Sequence, residues 1–361
     1  MEKYYLAALQ AAFYAANAKL TEIIAFFGSA EAAYKAPEAQ WLEYAAKNKT
    51  VLRFLAKRDY DYPQKLADFC YRNAINLVCI NDDVYPYRLR YIAAPPAVLY
   101  VKGALPSCER SIGIVGSRNA SAYGLKAAET FAHDLSAAGI VVVSGGAKGV
   151  DAAAHKGALD AGGYTVAVLG CGVDIAYPYE NRALFRSIAA QGAIISELAP
   201  GTPPLAYNFP ARNRIINGIT HGILVAEAAK KSGAMITAEF ALDEGHEVYC
   251  VPGSIFQTGS IGCHSLIKAG ARLVDRPEDI LDDMQLSKSN IKVDTQMSLF
   301  SFEEYSDIKK QLLAIIGVGP VKLEELLEKT GITLAQASTE LLELEMDGII
   351  AQSREQGYYL L

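Results

Sequence analysis

Several patterns are missing from this sequence, and each absence narrows what the chain does. Its six cysteines, at positions 70, 79, 108, 171, 250 and 263, form no C-x-x-C pair. That excludes a zinc knuckle and a c-type haem attachment, and points to buried or free thiols in a reducing compartment. The five histidines show no metal-ligand spacing. No apolar run approaches the roughly 20 residues of a membrane span. Met1 to Ala18 is alanine-rich, but Glu2 neutralises Lys3, and Gln10 and the tyrosines interrupt it. It reads as an amphipathic helix, not a secretory leader, and the expected compartment is the cytoplasm. An excess of basic charge is also lacking: 34 Lys and Arg against 40 Asp and Glu give −6. Taken whole, that argues against a general polyanion binder.

What is present supports a substantial core. Apolar residues make up 51% of the 361 and charged residues 20%, which excludes general disorder. At about 150 residues per domain the length suggests two or three domains. Residues 1–105 are rich in Ala, Tyr and Leu at helical spacing and end in a connector. Residues 106–283 alternate short β-branched runs with helical runs and glycine joints; 284–304 turn polar and read as a linker. Residues 305–361 hold three helical patterns, Asp307–Ile316, Pro320–Lys329 and Thr333–Met346, followed by a hairpin, which is a winged-helix-like pattern. Charge divides unevenly: +3 over 1–111, −1 over 112–275 and −8 over 276–361.

The middle segment repeats strand, glycine turn, helix. Ser111–Val115 leads into Gly116-Ser117-Arg118, Ile140–Ser144 into Gly145-Gly146-Ala147-Lys148-Gly149, and Thr165–Leu169 into Gly170-Cys171-Gly172. Further strands are expected at 193–196, 221–226, 246–251 and 271–274. Such runs predict an α/β domain with a parallel sheet buried on both faces, its ligand outside the carboxyl ends of the strands. The dinucleotide fingerprint is unmet, because Ser144 stands at the first glycine, and there is no P-loop, because Gly149 follows Lys148. Backbone N–H groups with two cations, Arg118 and Lys148, suit phosphate. The segment Asn208-Phe209-Pro210-Ala211-Arg212-Asn213-Arg214 adds two arginines and a ring. Phosphate sites with aromatic access are the footprint of single-stranded nucleic acid.

These motifs, with Ser144–His155, Leu169–Asp174, Tyr177-Pro178, Glu227-Ala228, Ser232–Ala238 and Val251-Pro252-Gly253, resemble the DNA-processing protein A (DprA, also called Smf) family. The resemblance implies an extended Rossmann-like, doubly wound parallel sheet, preceded by a helical SAM-like domain. It implies a homodimer that binds single-stranded DNA and loads the recombinase RecA in natural transformation and homologous recombination. Carried over by position, Arg118 and Lys148 resemble phosphate ligands, with the backbone of Gly116, Ser117, Gly145 and Gly146. Phe209 stands where the family offers a ring to a base, and Arg212, Asn213 and Arg214 fit further backbone contacts or structural pairing. Two departures stand out: His264 replaces the family's usual asparagine, and Ala15-Ala16-Asn17-Ala18 replaces a glycine-rich hairpin.

A catalytic role is not expected. Ser144, Asp151 and His155 lie along one turn and helix, and Val142 breaks the nucleophile elbow. Asp151 is expected to orient its turn, His155 to pack, and Cys171 to fit a crowded turn. Neither metal nor cofactor is expected, and no membrane. Two other classes keep a place: a Rossmann-like nucleotide-binding protein, and a nucleoside-monophosphate phosphoribohydrolase using Glu197 or Glu227. The third C-terminal helical pattern carries Glu340, Glu343 and Glu345 without Lys or Arg, which favours a protein contact over DNA reading there.

Overall fold

A computed structural model describes residues 1–13, 17–45, 48–230, 232–284, 306–316, 321–346, 350–353 and 357–360. Its contacts form two units, Met1–Ser287 and Lys288–Leu361. The first is built on nine strands: β1 (Ile75–Cys79), β2 (Val98–Gly103), β3 (Ser111–Val115), β4 (Val141–Ser144), β5 (Thr165–Val168), β6 (Ala193–Ser196), β7 (Gly222–Val225), β8 (Glu247–Cys250) and β9 (Arg272–Leu273). They form one sheet in the order β1-β2-β6-β5-β4-β3-β7-β8-β9. From β6 to β9 every pair is parallel, with Val143 opposite Val166 and Gly113 opposite Ile223. The strands β1 and β2 extend the sheet antiparallel beyond β6.

The short β-branched strands are buried on both faces because helices cover both. Val143, Val168 and Val225 pack toward Asn208–Ile219, Gly233–Asp243 and Ile261–Lys268. Ile112, Ile114, Val142 and Leu224 pack toward Ala122–Ala137 and Val150–Asp160. The N-terminal helices gather around the fully buried Trp41 and cover the β1–β2 end of the sheet. Gln10 clamps the first helix, Glu2–Phe13, there: its amide donates to Val98 O and Glu197 O at 2.8 and 2.9 Å and accepts from Val98 N at 2.9 Å.

Chain order places the switch point of the sheet. After β3 the chain adds β4, β5 and β6 on one side, then returns to lay β7 on the other. The carboxyl ends of β3 and β7 therefore flank the topological switch point.

In the second unit, helices Asp307–Ile316, Leu323–Thr330 and Leu334–Met346 pack with the antiparallel strands β10 (Ile350–Ser353) and β11 (Gly357–Leu360). Leu312, Leu326, Leu341 and Leu344 form its core. The middle helix starts at Leu323, later than the expected Pro320, because Val321 is extended and pairs with Tyr358. Lys309 bonds Glu343 at 2.6 Å and lies 3.8 Å from Glu340, and so meets two acids of the third helix. The expected linker lies outside the described residues except for Met284, as do Gly348 and Ile349 of the hairpin. Among the described residues no helix is long and apolar enough to cross a membrane.

His155 is fully buried beneath the sheet, as its expected packing role requires. The Thr165 hydroxyl donates to Val142 O at 2.7 Å, so it accepts from His155 Nδ1, also at 2.7 Å. Burial, helped by the field of Arg212, pulls the imidazole from 6.5 down to about 3. An unfolded histidine takes its proton near pH 6.5, so this contribution is complete above that pH and is lost as pH falls toward 3. Thermal melts from pH 7 to pH 4 are expected to show a shallower fall in stability for His155→Gln than for the parent chain. Parallel curves would contradict this.

Candidate nucleic-acid interface

The turns after β3, β4 and β5 lie side by side because their strands do. The first two are bonded to each other. Val150 N donates to Ser117 O at 3.1 Å, and Ser117 N donates to Glu227 O at 2.7 Å. Gly149 has φ +77°, and an added Cβ would stand 2.2 Å from Ser117 O, so no other residue fits. Asn181 Nδ2 donates to Gly146 O and Ala147 O at 3.0 and 3.1 Å, which steadies the second turn from outside.

Two buried charges support that turn from within. Arg212, 6% exposed, donates from Nη1 to Gly145 O at 2.8 Å. Asp151, 7% exposed, accepts from Ala147 N at 3.2 Å. Gly145 passes between them: an added Cβ would lie 2.5 Å from Arg212 Nη2 and 2.7 Å from Asp151 Oδ2. Burial pushes the Asp151 carboxyl up, against the pull of Arg212. Burial likewise brings Arg212 down to about 10, against the pull of Asp151. The two charges offset each other's desolvation.

The outward side chains differ in kind. Arg118 is exposed, with its guanidinium 5.7 Å from the Phe209 ring centre, and it makes no ion pair among the described residues. Phe209 is half-buried between Gly170 and Tyr177, whose ring lies 5.6 Å away. Lys148 is exposed and bonds Glu180 at 2.5 Å. Such a surface pair is weak, and a phosphate can take Glu180's place. Gly116, Ser117, Arg118, Gly145, Gly146, Lys148 and Phe209 are thus brought to one end of the sheet. Arg212, Asn213 and Arg214 are engaged with protein groups: Arg212 Nε donates to Asn213 Oδ1 at 3.2 Å, and Arg214 pairs with Glu197 at 2.5 Å.

Two side chains outside the expected DNA-binding set shape the site. Tyr177 backs Phe209; its place beside Pro178 in the quoted motif was the available signal. Glu227 fills the crevice between β3 and β7. Its carboxylate accepts from the Ser121 backbone at 3.1 Å and from the Ser121 hydroxyl, and Cβ atoms at Gly124 and Gly259 would strike it. A fixed carboxylate at the start of helix Ala122–Ala137 takes the place an anion would occupy.

The catalytic alternatives find their groups engaged. The Ser144 hydroxyl donates to Ile114 O at 2.6 Å, His155 bonds Thr165, and Glu197 and Glu227 are held as described. Burial pushes the Cys171 thiol up to about 11, so it is no thiolate at neutral pH. His264 Nε2 lies 3.1 Å from Gly253 O and ties the late loop to its own helix. Among the described residues no group of three or more His, Cys, Asp or Glu is placed to hold a metal ion.

Arg212→Met is expected to destabilise the chain by about 3 kcal/mol, because it leaves Asp151 buried without its counter-charge. Adding Asp151→Asn is expected to recover part of that loss. Denaturant unfolding of the single and double variants measures the coupling, and strict additivity would contradict the account.

Residues 76–285 match the family model described as DNA recombination-mediator protein A, and residues 303–355 match a DprA winged helix domain. The chain is 38% identical over 305 residues to Protein Smf of Escherichia coli, covering 82% of this chain and 81% of that one. It is 44% identical over 207 residues to DNA processing protein DprA of Streptococcus pneumoniae, covering 57% and 73%. Among solved structures, DNA processing protein A of S. pneumoniae superposes with a TM-score of 0.61 at 38% identity, over 68% of this chain and 85% of that one. The Helicobacter pylori protein, described for its single-stranded DNA binding mode, gives a TM-score of 0.53 at 26% identity, over 58% and 96%.

Proposed function

Because the chain belongs to the DNA recombination-mediator protein A (DprA/Smf) family, we propose that it binds single-stranded DNA at the strand-end turns and loads the recombinase RecA onto it, in natural transformation and homologous recombination. One observation carries the binding mode above the others: Arg118, exposed and without an ion pair among the described residues, stands over the Phe209 ring beside three glycine turns. Phosphates meet Arg118, Lys148 and the N–H groups of the turns, while a base stacks on Phe209 for about 1–3 kcal/mol. Arg212, Asn213 and Arg214 act from behind, keeping the turn and ring in place. The protein works by binding, without a chemical step, in the cytoplasm.

The exposed Ile255 and Phe256, in the loop after β8, offer apolar surface to a second copy in a homodimer. The C-terminal unit, with acids on its third helix, serves a protein contact.

Arg118→Ala with Lys148→Ala is expected to weaken binding of a single-stranded oligonucleotide at least several-fold. With about 0.7 counterions released per contact, the slope of log affinity against log salt should shrink by about 1.4. Unchanged affinity in a low-salt titration of the folded double variant would sink the assignment. Release of free base from nucleoside monophosphates by the parent chain would favour the phosphoribohydrolase class instead.

A further inference from the structure

We propose that the single strand held at the strand-end turns continues across Ala11 into a basic groove on the N-terminal helices, where Lys49, Arg53 and Lys57 take its phosphates. This rests on the strand-end binding proposed above and adds a second contact surface to it.

Two clefts in the first unit share a wall. One, of about 380 Å³, is lined by Ala11, Leu169, Ala199, Tyr207 and Asn208. It adjoins the binding end, because Leu169 precedes the Gly170 beneath Phe209, and Asn208 precedes Phe209 itself. The other, of about 410 Å³, is lined by Ala8, Ala11, Arg53, Lys57, Arg58 and Tyr62. Ala11 lines both, and its side chain is a single methyl group. Gln10, next to it, fixes that helix through two hydrogen bonds to Val98 of β2 and one to Glu197 O just after β6, so Ala11 is anchored to the sheet.

Both clefts carry groups that await an anionic, hydrogen-bonding chain. In the first, Asn208 is 7% exposed, and its amide nitrogen has no partner among the described residues. A buried donor left unpaired is costly, and a phosphate or base oxygen would satisfy it. Beside the second, Lys49, Arg53 and Lys57 are exposed and make no ion pair or hydrogen bond among the described residues. They sit at every fourth position of helix Lys49–Lys57, about 6 Å apart along its axis. That is comparable with the spacing of successive phosphates in an extended strand.

Arg58 and Tyr60 complete the groove. Arg58 donates to Tyr34 O and Ala36 O at 3.0 and 2.6 Å, and its guanidinium lies 4.5 Å from the ring of exposed Tyr60. Asp59, the acid lining this cleft, is already paired with Lys65 at 2.7 Å. A polyphosphate strand fits this surface better than an acidic peptide, because the cations repeat at even spacing and a ring is offered beside them.

The test uses the full chain and anisotropy titrations with oligothymidylates of about 6 and about 20 nucleotides. The triple variant Lys49→Ala, Arg53→Ala, Lys57→Ala is expected to bind the short strand as the parent does. It should bind the long strand about tenfold more weakly, with a salt slope smaller by about 2. Ala11→Trp, which adds bulk where the two clefts meet without changing charge, should also weaken only the long strand. Retained short-strand binding shows that both variants are folded. Unchanged long-strand affinity in the triple variant would overturn the track and leave the stripe to a protein partner. If the parent chain itself fails to bind the short strand, the strand-end assignment falls, and the track with it.

Discussion

Two buried charges with a glycine between them hold the strand-end turns of this molecule in place. Arg212 comes from helix Asn208–Ile219 and Asp151 from helix Val150–Asp160, and both are shut away from water. Neither is tolerable there alone, so the turn after β4 must run where Arg212 reaches Gly145 O and Asp151 reaches Ala147 N. Once that path is set, Lys148 projects outward and Gly149 packs on Ser117 O, which settles the neighbouring turn and its Arg118. The helix that buries Arg212 also presents Phe209 three residues earlier, so one element serves both the support and the stacking ring.

The field of the molecule follows the same division. A total charge of −6 looks unfavourable for a polyanion ligand. Residues 276–361 carry −8, more than the whole of it, which leaves residues 1–275 at +2. Within the sheet domain, Glu227 is confined to the β3–β7 crevice by Ser121, and Glu197 is matched by Arg214. What remains turned outward near the β3 and β4 ends is Arg118, unpaired among the described residues, with Lys148 and its exposed partner Glu180. Local placement, rather than net charge, decides what such a surface attracts.

Much of this was legible in the residues. β-branched runs bounded by glycine located the central strands, because a strand buried on both faces has little choice of composition. The two exposed cations were legible because they stand within glycine turns. The pairing of β1 and β2 onto β6 was not, since edge pairing depends on contacts distant in sequence, such as Tyr100 with Ser196. Nor was the engagement of Arg214 by Glu197, or the plugging of the crevice by Glu227, whose Ser121 partner lies 106 positions away. In the C-terminal unit, Pro320 looked like a helix start, but a bridge from Val321 to Tyr358 keeps the chain extended past it.

The most direct test of the central claim compares three ligands on the unmodified chain: a single-stranded oligonucleotide, the same sequence as a duplex, and a mononucleotide, each titrated at low and moderate salt. The account predicts affinity that rises with single-strand length, exceeds that for the duplex and falls steeply with salt. Saturable mononucleotide binding with no dependence on strand length would contradict it.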